Sequence, residues 1–251
     1  MIDIGLRVHP CSSLAAGARP QSWRAADRDV FREGLALQAS RVLIQFIIRG
    51  CMRWYHRLTV IGQERFREIR PAIIAANHSS HLDAMAIFSS LPFSQVSATC
   101  SAAARDYFFT GRLTTFVARL LANGIPISRG GGYGGGLRPC IEKLLGGTSL
   151  ILFPEGTRTR TGRIGPFKPG VVALSRRARV PVIPTYIRGT LESLGLGKYF
   201  PRPEPITVVF GEPMRFWKAP LAQLRPAEAA RILGDRVRAM QVDFREGSGD
   251  R

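Results

Sequence analysis

Residues 35–57, LALQASRVLIQFIIRGCMRWYHR, carry the first sustained pattern in the chain. At helical spacing Leu43, Phe46, Ile47, Cys51 and Trp54 share one face, and Ile44, Ile48 and Tyr55 widen it. Arg41, Arg49, Arg53 and Arg57 follow at steps of eight, four and four, so a helix lines them along another stripe. The apolar run is too short and too interrupted for a spanning helix, which needs about 20 apolar residues. A basic stripe, a broad apolar face and a terminal Trp-Tyr pair predict a helix lying in a membrane interface. The alternative is a helix packed on the protein's own core with its arginines in water.

From residue 58 the pattern changes to short apolar runs, at Ala72–Ala76, Val96–Cys100, Ile125–Ile127, Ser149–Phe153, Val180–Ile187 and Ile206–Phe210. They read as buried strands. Helix-like stretches fall between them at about 81–91, 106–122, 136–146, 167–178 and 226–244. This alternation predicts an α/β fold with a mostly parallel central sheet flanked by helices. Residues 1–33 have no clear period and no apolar stretch like that of a signal peptide, which predicts a poorly ordered extension. The expected organisation is therefore an extension at 1–33, an amphipathic membrane-associating helix at 34–57 and an α/β domain at 58–251. Gly130–Gly136, GGGYGGG, predicts a mobile or tightly turning loop.

Composition changes this picture in two ways. Apolar residues make up 45%, enough for a substantial core. Against 18 acidic residues stand 36 basic ones, a net charge of +18. Such a surplus seeks anions: nucleic acid, anionic lipid headgroups or phosphorylated ligands. Only four of the basic residues are Lys, and Arg suits bidentate phosphate recognition, although a genome rich in Arg codons gives the same count. A nucleic-acid module would need aromatics interleaved with Arg on one face, whereas here the arginines scatter, so no nucleic-acid partner is expected. The cysteines Cys11, Cys51, Cys100 and Cys140 have no C-x-x-C spacing, which points to reduced thiols and to neither zinc nor a redox pair.

The densest chemistry lies in AIIAANHSSHLDA, residues 72–84, where a buried strand runs into a helix. Ligands of open α/β sheets sit at the carboxyl ends of strands. There His78, with Asp83 five residues on, makes a general base whose tautomer and imidazolium the carboxylate would support. Ser80 and Asp83 also spell S-x-x-D, a helix capping box, which would give Asp83 a structural job. Ser79 or Ser80 as nucleophile lacks a G-x-S-x-G elbow. His78, His81 and Asp83 as metal ligands match no metal-site spacing, so no metal is expected.

The second candidate is LFPEGTRTRTGRIGPFKPG, residues 152–170. A strand again meets a turn, Pro154-Glu155-Gly156, followed by Thr157, Arg158, Arg160, Arg163 and Lys168. Gly156 lets main-chain amides approach a ligand, Thr157 offers a hydroxyl and Arg158 a fork matched to phosphate; a solvated basic loop is the plainer alternative. Arg129, in the Gly124–Arg129 segment just after the Ile125–Ile127 strand, is a further candidate phosphate ligand. Pro184 within VPVIPTYI implies an irregular or edge position.

Taken together these segments resemble the glycerolipid acyltransferase family that includes the lysophosphatidate acyltransferases. Asn77, His78 and Asp83 match its N-H-x-x-x-x-D block. Phe153 to Arg158 match F-P-E-G-T-R, followed by P-F-K-x-G at Pro166 to Gly170, and Val180 to Pro184 match V-P-V-I-P. The second block, a Gly followed by an Arg, is met only loosely by Gly124 and Arg129. The resemblance implies transfer of a fatty acyl group from acyl-CoA or acyl carrier protein to the free hydroxyl of 1-acylglycerol-3-phosphate, making phosphatidic acid. It implies no cofactor beyond that co-substrate. It implies His78 and Asp83 as a general-base dyad, and Glu155, Gly156, Thr157, Arg158 and Arg129 around the acceptor phosphate. Phe153, Pro154 and Pro184 would serve the acyl pocket or the framework. The other acceptors expected for such chemistry are glycerol 3-phosphate, a lyso-aminolipid or another lysophospholipid. The expected location is the cytoplasmic face of the cell membrane, on an anionic surface.

Overall fold

The computed structural model describes residues 35–67, 69–104, 111, 121, 123–127 and 136–246 of the 251-residue chain. The chain divides into two units, Met1–Gln38 and Ala39–Arg251. The first is described only at residues 35–38, where helix α1 (Leu35–Trp54) begins. The expected extension at 1–33, most of the helix at 106–122, Arg129 and the glycines up to residue 135 lie outside the described residues.

Among the described residues seven strands form one sheet: β1 (Thr59–Ile61), β2 (Ile73–Ala76), β3 (Thr99–Ala104), β4 (Gly124–Ile127), β5 (Ser149–Leu152), β6 (Val182–Arg188) and β7 (Thr207–Phe210). Their order is β1-β7-β6-β2-β5-β3-β4, and every pairing is parallel except β6 with β7. The helices are α1, α2 (Gln63–Arg67), α3 (Leu82–Ser90), α4 (Phe93–Val96), α5 (Arg138–Leu145), α6 (Gly170–Ala178), α7 (Thr190–Leu194) and α8 (Pro226–Glu246). The fold is thus α/β with a mostly parallel sheet.

The continuous apolar runs follow from burial on both faces. Ile73, Leu150 and Val182 face a core closed by α5, α6 and α8, with Cys140, Leu144, Val172, Leu174, Leu233 and Val237. Ile74, Ile151 and Ile183 face a second core with Met52 of α1 and Leu82, Ile87 and Phe88 of α3. Each fully buried Ile contributes about 1.5–3 kcal/mol.

Two sequence expectations shift. Val96 closes α4 rather than opening a strand, because Pro92 starts a helical turn and the Thr99 hydroxyl donates to the Gln95 carbonyl at 2.8 Å. Pro184 sits fully inside β6, a central strand, rather than at an edge. Its carbonyl accepts from Gly211 just past the end of β7 at 2.7 Å, so the missing N–H falls where the β6–β7 ladder stops.

Helix α1 is turned the opposite way to an ordinary surface helix. Its buried side carries Gln45 and Met52, while Leu43 (64% exposed), Phe46 (69%), Ile47 (58%) and Trp54 (83%) face outward. Gln45 donates to the Leu121 carbonyl at 2.6 Å. Arg49 does not join an outer basic stripe. It is half-buried, donates to the carbonyls of Phe88 and Leu91 at the end of α3, and lies 5.6 Å from the Phe93 ring centroid. A guanidinium there adds a charged donor to the carbonyls at a helix C-terminus. The side chain of Arg41 lies outside the described residues. No described helix is long and apolar enough to cross a membrane.

Candidate active site

The site forms at the carboxyl end of β2, where the sheet continues to β5 on one side and to β6 on the other. Connections diverge there, which opens a crevice above the strand ends. Asn77, the first residue after β2, fixes this edge. Its amide nitrogen donates to the Ile187 carbonyl at 2.9 Å, and its oxygen accepts from the Ile187 N–H at 2.8 Å. The side chain is buried and acts as a main-chain substitute between β2 and β6.

His78 follows, with its side chain 21% exposed. Its Nδ1 lies 2.8 Å from Oδ2 of Asp83, a carboxylate with no exposed surface. The same Oδ2 accepts the main-chain N–H groups of Ser79 (2.7 Å) and Ser80 (2.9 Å). The Ser80 hydroxyl accepts from the Leu82 N–H at 3.1 Å. The capping-box arrangement and the His–Asp pair therefore coexist in one carboxylate, which caps α3 and orients the imidazole. A carboxylate on Nδ1 favours the tautomer protonated there and leaves Nε2 as the basic nitrogen. Phe153 stacks on the ring at 4.1 Å between centroids and 15° between planes, fixing its tilt.

The second turn, after β5, is bound to the first through main chain. The His78 N–H donates to Oε1 of Glu155 at 2.8 Å, and the Thr159 N–H donates to the His78 carbonyl at 2.8 Å. Oε2 of Glu155 accepts from the Gly165 N–H at 2.9 Å. Both oxygens of the buried Glu155 are thus engaged with amides, which ties turns together rather than presenting a carboxylate to an anion. Burial raises its pKa, opposed by the bonds from Gly165 and His78.

Gly156 has φ +75°, and a Cβ there would stand 2.5 Å from Nζ of Lys168. The Lys168 ammonium therefore lies over the turn, beside exposed Thr157 and half-buried Arg158. His81 lies within the field of Arg158 and His78. Burial, then the charges of Arg158 and His78, push its pKa down to about 4, against the pull of Asp83. At neutral pH it is an uncharged imidazole.

The sequence-predicted residues His78, Asp83, Phe153 and Glu155 are brought together, with Pro154 buried in the second turn. Pro184 belongs to the framework of β6. Sequence reasoning missed Thr190, whose buried hydroxyl lies 3.0 Å from that of Ser79, and Leu194, whose carbonyl accepts from the Ser80 hydroxyl at 2.6 Å. Both belong to α7, more than a hundred residues downstream, and no local pattern marks them.

The family model described as Acyltransferase matches residues 57–188. A 1-acyl-sn-glycerol-3-phosphate acyltransferase of Limnanthes douglasii is 33% identical over 177 residues, covering 67% of this chain and 59% of that protein. The match to such plant relatives therefore spans about three fifths of their length. A human protein, 1-acyl-sn-glycerol-3-phosphate acyltransferase beta, is 26% identical over 223 residues, covering 86% of this chain and 75% of that one. The crystal structure of the 1-acyl-sn-glycerophosphate acyltransferase PlsC from Thermotoga maritima has the same fold, with a TM-score of 0.61, 22% identity and 86% of each chain covered.

Proposed function

The chain belongs to the glycerolipid acyltransferase family, and on that footing we propose that it transfers a fatty acyl group to the free hydroxyl of 1-acylglycerol-3-phosphate. The donor is a thioester, acyl-CoA or acyl carrier protein, and the product is phosphatidic acid. The reading rests on one observation above all: Asp83 holds Nδ1 of His78 at 2.8 Å beside the Pro154–Arg158 turn.

Nε2 of His78 takes the proton from the acceptor hydroxyl as its oxygen attacks the thioester carbonyl. The tetrahedral intermediate collapses, the carbon–sulfur bond breaks, and the imidazolium returns the proton to the departing thiolate. Asp83 stabilises that imidazolium. Gly156, Thr157, Arg158 and Lys168 meet the acceptor phosphate, with Arg129 as a further candidate, and so place the hydroxyl beside His78. Glu155 positions this apparatus through its two amide bonds. The acyl chain lies along the apolar side of the site. The outward apolar stripe of α1 suits contact with the membrane that holds acceptor and product, and the net charge favours anionic headgroups on its cytoplasmic face.

The test is acyl transfer by purified wild type and His78→Ala, with labelled acyl-CoA and a panel of acceptors. Transfer to 1-acylglycerol-3-phosphate that falls by about a hundredfold or more in His78→Ala is expected. Near wild-type turnover by the variant would refute the base assignment, and preference for another acceptor would refute the substrate.

A further inference from the structure

The segment between α7 and β7 contains Tyr199 and Phe200, exposed by 91% and 85%. Two large aromatics held this far into water call for an explanation, because the loop beneath them is closely built. Its neck is closed in both directions: the Arg202 N–H donates to the Ser193 carbonyl at 3.1 Å, and the Ser193 hydroxyl donates to the Arg202 carbonyl at 2.8 Å. Gly197, at φ +85°, turns the chain at the tip, where the Lys198 N–H donates to the Gly195 carbonyl at 3.1 Å. The Lys198 ammonium folds back onto the Leu191 and Glu192 carbonyls of α7. Prolines 201, 203 and 205 stiffen the return.

The loop is continuous with the end of α1. The Tyr55 hydroxyl donates to the Pro201 carbonyl at 3.0 Å, and Arg57 donates to the Pro203 carbonyl at 2.8 Å. Trp54 stands next to Tyr55 and is itself exposed. Topology puts this junction at the site's end of the sheet. β2, β5 and β6 finish there; β7, antiparallel to β6, starts there, and so does β1, parallel to β7. Four exposed cations, Arg53, Arg57, Lys198 and Arg202, outnumber Glu192 and Glu204 in the two segments 53–57 and 190–204. Exposed aromatic tips set among cations have the composition of a membrane-interface anchor.

We propose that the Gly195–Arg202 loop is a second lipid-contacting element, which inserts Tyr199 and Phe200 into the headgroup region of an anionic phospholipid bilayer beside the end of α1. Its tight neck means that little ordering remains to be done on insertion. The same helix α7 that carries the loop touches Ser79 and Ser80 through Thr190 and Leu194, so the bilayer surface lies against the support of the His78 turn.

The experiment is sedimentation of the full chain with vesicles of phosphatidylcholine, alone or mixed with phosphatidylglycerol, without acyl donor. Its outcome is therefore independent of the proposed reaction. Tyr199→Ala/Phe200→Ala is expected to lower partition onto the mixed vesicles about tenfold or more, and Tyr199→Trp/Phe200→Trp to retain it. Arg202→Gln is expected to weaken only the salt-sensitive binding to phosphatidylglycerol. Leu145→Ala, at the opposite end of the sheet and 67% exposed, should bind as wild type. The proposal is overturned if the double alanine variant binds like wild type, or if Leu145→Ala weakens binding equally. It is also overturned if the double variant alters self-association in vesicle-free sedimentation velocity without altering partition.

Discussion

The main-chain N–H of His78 donates to a carboxylate oxygen of Glu155 at 2.8 Å, across 77 residues of sequence. The Thr159 N–H returns to the His78 carbonyl, and the second Glu155 oxygen takes Gly165. The turn after β2 and the turn after β5 therefore move as one body. A base on one and an anion cradle on the other keep a fixed separation, which reaction between a positioned hydroxyl and a thioester requires.

Removing that tie has a defined cost. Glu155→Ala leaves the His78 and Gly165 amides without their acceptor in a buried place and is expected to destabilise the protein by about 2–4 kcal/mol. Glu155→Gln, which keeps one carbonyl oxygen, should fall between it and wild type. Urea denaturation checks the order, and kcat should fall more than KM changes, because the lost contact positions His78. Wild-type stability in Glu155→Ala would remove the residue from the framework.

His78 and Asp83 should separate in their effects. His78→Ala is expected to keep the fold and lose about 10²–10⁴-fold in turnover. Asp83→Ala should lose comparable activity and also about 3 kcal/mol or more of stability, because three donors converge on its Oδ2. Melting curves of the two variants read the contrast; equal melting temperatures would contradict the double role of Asp83.

The Asn77 side chain spends both its donor and its acceptor on the Ile187 main chain. Asn77→Ala is expected to cost roughly 2 kcal/mol. Asn77→Asp should do no better, because it sets a carboxylate against the Ile187 carbonyl. Denaturation midpoints at neutral pH decide this.

The pH dependence of stability carries a signature of His81. Its pKa falls from 6.5 unfolded to about 4 folded, chiefly through burial, so the unfolded chain takes up the proton first as pH drops. The neutral His81 contributes nothing to pH dependence above about 6.5, and stability is lost as pH falls from there towards 4. His56, lowered chiefly by burial, adds in the same direction. Stability measured between pH 7 and 5 should fall less steeply in His81→Gln than in wild type; parallel curves would exclude His81 as a source.

Gly156→Ala probes the cradle. A positive φ strains any side chain by about 1 kcal/mol, and the new Cβ displaces the Lys168 ammonium. The expected result is a raised KM for the acceptor with little change in kcat. Steady-state kinetics in acceptor concentration test this, and an unchanged KM would place the acceptor elsewhere.

The sequence by itself determined the strand and helix alternation, since burial on both faces writes an uninterrupted apolar run into β2, β5 and β6. It also placed His78, Asp83 and the Pro154–Arg158 turn at strand ends. Whether Asp83 caps a helix or orients a base stayed open at that level, because S-x-x-D and H-x-x-x-x-D overlap in the same residues; the folded chain does both with one oxygen. Arg49 was legible only as a member of a stripe, and the carbonyls it meets lie on α3, some forty residues away. Glu155 looked like part of a cradle until its two oxygens met amides of other turns. Tertiary structure alone decided which side of α1 faces outward, what Asn77 joins, and that Thr190 stands behind Ser79. Periodicity and capping act within a few residues and are written locally, whereas these contacts join segments 39 to 114 residues apart and exist only once the sheet has set its register.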